Sequence, residues 1–120
     1  MDGATFKQLI SQADIFRRGT LTETIEVLER KHADLAARVG SQLERPPIQK
    51  PDQHAGGSET DIFRVELFRA EVELIVDAMS VAEVGALGPD YTTTPEASRF
   101  AGLLDTWNRY KFLLVEKHAA

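Results

Sequence analysis

The sequence predicts an all-α protein, a four-helix antiparallel bundle with a long Pro/Gly-rich loop between its second and third helices. Three observations carry this expectation. Apolar residues recur at three- and four-residue spacing through most of the chain, and Ser/Thr caps and Gly/Pro breakers punctuate that pattern at intervals of helix length. At 120 residues, the chain is the size of one ordinary domain with one shared core. The expected helices cover about 4–18, 20–43, 59–85 and 94–118, with a flexible loop at 45–57, all within a single domain spanning 1–120.

The first helix follows from Phe6, Leu9, Ile10, Ala13 and Phe16, with Gly19 as its stop and Arg17 and Arg18 placed to suit the negative end of the helix dipole. Thr20 opens the second, with Glu23 three residues on to complete a capping box. Leu21, Ile25, Leu28, His32, Leu35 and Val39 then form a heptad-like seam that only the histidine interrupts. Pro46-Pro47 forbids any continuation. Residues 45–57 hold three prolines and two glycines, with Ile48 as the one substantial apolar anchor, so an extended connection is expected there, and no internal repeat accompanies it.

Ser58 or Thr60 starts the third helix, and Gly85 with Gly88-Pro89 ends it. Its apolar residues fall into two arcs: Phe63, Leu67, Ala70, Leu74, Ala78 and Val81 on one side, and Val65, Phe68, Val72, Ile75 and Met79 on the other. A helix apolar on two sides needs two neighbours. The fourth helix begins at Thr93 or Thr94, with Pro95 in the first turn where its missing N–H costs nothing. Ala97, Phe100, Leu103, Leu104, Trp107, Tyr110 and Leu114 make its broad face, and that unbroken periodicity favours helix over strand at 110–115.

Composition narrows the function classes. The net charge of −5 resides in the second half: residues 1–57 carry eight basic and eight acidic side chains, residues 58–120 six and eleven. Nucleic-acid binding needs clustered Lys/Arg, and the doublets Arg17-Arg18 and Arg30-Lys31 make no stripe, so a groove-binding second helix using Arg30, Lys31 and Arg38 ranks last. No apolar run is long enough for a membrane span and no secretory signal is expected; with no cysteine as well, a cytoplasmic setting is the simplest expectation.

Two constellations merit chemical attention. Glu29-x-x-His32 is half of the Glu-x-x-His pairing that ferritin-like dimetal bundles use, but no second copy exists in the fourth helix, where His118 follows Glu116 by only two positions. The acids Glu26, Glu29, Glu66, Glu73 and Asp77, with His32, are the metal-ligand candidates of an alternative, enzymatic reading. Their pairing across helices resembles in part the all-α nucleoside triphosphate pyrophosphohydrolases of the MazG-like group, a resemblance that implies magnesium held against a substrate's phosphates. The spacing departs from that family, since Glu23-x-x-Glu26-x-x-Glu29 and Glu73-x-x-x-Asp77 replace adjacent glutamates and Glu-x-x-Asp, without interspersed lysines. No nucleophile-elbow serine, phosphate-binding glycine loop or Arg-x4-6-His ribonuclease pattern is present.

The expectation is therefore a non-catalytic protein-interaction or accessory subunit with no cofactor. Its partner is a protein or a second copy of the chain, as a homodimer, bound through the third and fourth helices. Val65, Phe68, Val72, Ile75, Met79, Phe112 and Leu113 are the expected interface, because they lie off the main core faces. Glu66, Glu73 and Asp77 are the expected acidic partner face. Glu73 and Asp77 repel at i,i+4, and a cation, a partner's base or Lys111 would offset that.

Overall fold

The computed structural model describes residues 2–50 and 57–118, leaving the expected loop described only at its two ends. The chain is mostly helical and divides into two compact units, Met1–Glu66 and Leu67–Ala120.

In the first unit, helix α1 (Gly3–Ile10) is capped by Asp2, whose carboxylate accepts from the Thr5 N–H at 2.7 Å. That hydrogen bond holds the Asp2 carboxyl below its ordinary range. The expected first helix stops about two turns early. Its second half becomes strand β1 (Ile15–Arg17), antiparallel to β2 (Ile62–Arg64), with Ile15 opposite Arg64, Phe16 opposite Phe63 and Arg17 opposite Ile62. Each strand together with the aspartate before it is the same tetrapeptide, Asp14-Ile15-Phe16-Arg17 and Asp61-Ile62-Phe63-Arg64, a local self-similarity too short to be an internal repeat.

Each strand buries its Ile and Phe, a better return of apolar area than helices with one wet face would give these residues. An Asp14–Arg64 ion pair at 2.7 Å and backbone bonds from Arg18 N–H to Asp61 O and Val65 N–H to Asp14 O close both ends of the ladder. Ile48 adds an isolated bridge to Ile62, fulfilling the anchor role expected of it. Phe6, Ile15 and Ile62 form a core cluster with Leu9, Ile10 and Ile48 against it.

The expected second helix is two: α2 (Arg18–Leu28) and α3 (Ala33–Gly40), followed by a 3-10 turn at Ser41–Glu44. Leu28 O accepts from both Lys31 and His32 N–H, and His32, at φ −136°, becomes the N-cap of α3 instead of a seam residue. An unbroken helix would have carried the imidazole into the apolar seam; the break leaves it exposed. The buried Gln42 side chain accepts from the Glu66 N–H at 2.9 Å, tying the segment after β2 to the 3-10 turn.

The second unit is a helical hairpin of α4 (Arg69–Gly85) and α5 (Pro95–His118). The expected third helix thus starts ten residues late, because 58–68 is consumed by a 3-10 turn, β2 and an extended run. Glu71 accepts from the Phe68 N–H at 2.8 Å and fixes the start of α4. α5 begins as expected: Ala97 N–H donates to Thr94 Oγ1, with Pro95 as the first helical residue, and 110–115 is helix.

Both helices bury one stripe, Val72, Ile75, Val76 and Met79 on α4 and Ala97, Phe100, Leu103, Trp107, Tyr110 and Leu114 on α5. Tyr110 Oη accepts from the buried Leu67 N–H at 3.0 Å, and the Trp107 and Tyr110 rings lie 6.2 Å apart. The connection between the helices is tight. A side chain at Gly88 would meet Thr92 Oγ1 at 2.7 Å, and Asp90 and Tyr91 both take positive φ (57° and 60°).

Candidate functional site

The α4 helix carries more apolar surface than its buried stripe uses, and the surplus forms a second, exposed stripe. Ala70, Leu74, Asp77, Val81 and Val84 follow one another at steps of four, three, four and three, so they share one face, and all five are exposed. Leu74 is 53%, Val81 64% and Val84 61% exposed, values normal for a lysine and unusual for three branched aliphatics in register. The buried Val72, Ile75, Val76 and Met79 occupy the other side of the helix.

Of the two expected arcs, only the members within α4 lie on faces of one helix: Phe63, Val65 and Leu67 precede it and are buried, Phe68 is its exposed N-cap, and Val84 joins the exposed side. Within α4, the side with Ala70 and Ala78 is the smaller. The arc with Val72, Ile75 and Met79 gains Val76, which the sequence reading left out, and burying the larger set returns more free energy. The expected interface residues consequently part company. Val65, Val72, Ile75 and Met79 are buried inside the chain, Leu113 is half-buried, and Phe68 and Phe112 stand well exposed, Phe112 at 62%. Phe68 begins α4, and Tyr110, two residues before Phe112, reaches the Leu67 N–H; both phenylalanines therefore belong to the same end of the hairpin.

The acidic residues are also separated. Glu66 belongs to the first unit, where it pairs with Arg45 at 3.4 Å. On α4, Arg69 Nε donates to Glu73 Oε1 at 3.0 Å, four residues away. That pair relieves Glu73 and leaves Asp77. The Asp77 carboxylate has no hydrogen bond or ion pair among the described residues, and Lys111, named above as a source of compensation, forms no ion pair with it. Asp77 thus sits as a single solvated charge in the middle of the apolar stripe.

The metal-ligand candidates divide between the two units, Glu26, Glu29, His32 and Glu66 in the first and Glu73 and Asp77 in the second. Glu26 and Glu29 are exposed at the end of α2; because that helix closes at Leu28, Glu29 and His32 no longer share a helix face. Among the described residues no group of three or more His, Asp or Glu is placed to hold a metal ion. His54 lies outside the described residues, as does the side chain of His118. No helix of the described residues is long and apolar enough to cross a membrane.

Comparison with known proteins returns no matching family model, no matching curated protein and no matching solved structure, so the reading of the site rests on its own residues.

Proposed function

We propose that the chain is a non-catalytic interaction module, an accessory or regulatory subunit that docks a protein partner through the exposed face of α4, with Phe68 and Phe112 at one end of the same hairpin. One observation carries the reading: Leu74, Val81 and Val84 lie exposed in heptad register on a helix whose opposite side is already satisfied. Isolated exposed aliphatics are ordinary, but a register of them is the pattern by which one helix accepts another. The alternative that groups Glu26, Glu29, His32, Glu66, Glu73 and Asp77 into a metal-dependent site has no comparable support, since among the described residues no three His, Asp or Glu side chains are placed to hold a metal ion.

The test is site-specific photo-cross-linking in cells. A photoreactive residue replacing Val81 should yield a discrete adduct of defined mass, and one replacing the exposed Asp105 of α5 should not. Absence of any adduct from 74, 81 and 84 alike would remove the basis for the proposal.

A further inference from the structure

Asp77 says something specific about what covers the stripe. A second copy of the chain is the simplest occupant of a heptad seam, and the geometry of the seam argues against it. In a parallel pairing of two α4 helices, Asp77 lies opposite its own counterpart, two like charges at the centre of the contact. In an antiparallel pairing, where the two kinds of seam position alternate across the interface, each Asp77 falls against the partner's Leu74 or Val81, a carboxylate desolvated with no cation to meet it. Helix α4 itself offers no base on this face: Arg69 is its one basic residue, against Glu71, Glu73, Asp77 and Glu83, and it is bound to Glu73.

We infer that the stripe is built for a different chain, an amphipathic helix that sets apolar side chains against Leu74, Val81 and Val84 and a lysine or arginine against Asp77. The inference rests on reading the stripe as a docking face and adds the partner's chemistry. Asp77 is then a specificity-determining residue with two effects. It attracts a cationic helix and it rejects self-pairing, as a single polar residue at a seam position specifies partners in coiled coils. The excess of acids on α4 extends the same preference beyond the contact itself, through steering.

Two measurements on the full chain test this. In sedimentation equilibrium at about 100 µM, a concentration at which weak helix pairs register, the wild type should be monomeric, Asp77→Leu should self-associate, and adding Val81→Asp to that variant should restore the monomer. Fluorescence anisotropy then uses two synthetic amphipathic helices of about 20 residues, long enough to span α4, with one leucine stripe in common and a single central residue differing, lysine in one and glutamate in the other. The lysine peptide should bind about tenfold more tightly, and Asp77→Asn should erase that preference.

Asp77 is exposed, so at a few µM, where self-association is negligible, Asp77→Leu and Asp77→Asn should both keep the wild-type far-ultraviolet circular dichroism and a cooperative melt, which is checked first. A wild-type dimer broken by Val81→Asp would overturn the inference in favour of a second copy and leave the docking function standing, as would equal binding of both peptides in favour of an uncharged partner. If neither peptide binds and Asp77→Leu stays monomeric, both the inference and the docking function fall.

Discussion

The assignment of α4's two faces makes adjacent residues behave oppositely, which gives a sharp stability test. Ile75 is fully buried and Leu74 is half exposed, yet the two are isomers, and truncation of either to alanine removes three carbons. At Ile75, the transfer loss is about 2.4 kcal/mol at ~0.8 per buried carbon, and incomplete collapse of the cavity raises the total to about 3–4 kcal/mol. At Leu74 about half of that transfer value is at stake, and alanine's better helix propensity returns a few tenths, so Leu74→Ala should cost under ~1 kcal/mol. Trp107 is the only tryptophan and is fully buried in the α4–α5 unit, so its fluorescence during urea titration reports this unit's unfolding. With an m-value of about 2 kcal/mol/M, Ile75→Ala should lower the midpoint by ~1.5–2 M and Leu74→Ala by under ~0.5 M. Equal losses would mean that Leu74 is packed as Ile75 is, and the exposed stripe would not exist.

Three further outcomes follow from particular contacts. Tyr110→Phe removes the acceptor of the buried Leu67 N–H while leaving the ring packed, and the same urea titration should show a loss of about 1–3 kcal/mol. Tyr91→Gly relieves a left-handed backbone at an exposed position and should raise stability by ~0.5–1 kcal/mol after the greater entropy of unfolded glycine is deducted, measured as a later thermal midpoint. Asp2 has a lowered folded pKa, so its contribution to α1 is fully present above the unfolded pKa and fades as pH falls through the folded value; the amide protection factors of α1, corrected for the intrinsic pH dependence of exchange, should fall in that acidic window, and Asp2→Ala should remove that fall.

The second unit was far more legible in the sequence than the first. α5 is long, its apolar residues keep one register from Ala97 to Leu114, and Thr94-Pro95 marks its start chemically, so local and tertiary preferences agree. The first unit depends on pairings across the chain that no local window contains. Ala13 and Phe16 fit the helical spacing of α1, but Phe16 is claimed by Phe63 in the opposing strand. The signal for that pairing was present as the repeated Asp-Ile-Phe-Arg, too short for a periodicity test and visible only as self-similarity. Of the candidate site, the excess of apolar surface on α4 was readable. Which face of α4 is exposed was not, and Val76, which falls between the expected arcs, is buried with Val72, Ile75 and Met79.

The most direct test of the docking proposal is a double substitution, Leu74→Asp with Val81→Asp, carried through two readouts on one preparation. Both positions are exposed, but the substitutions give up the remaining burial and add like charges beside Asp77, so the urea titration followed by Trp107 should show a cooperative transition with a loss of no more than about 2 kcal/mol. The cross-linked partner obtained from position 84 should disappear. A partner retained at wild-type yield by a folded double variant would place the docking surface elsewhere and contradict the account.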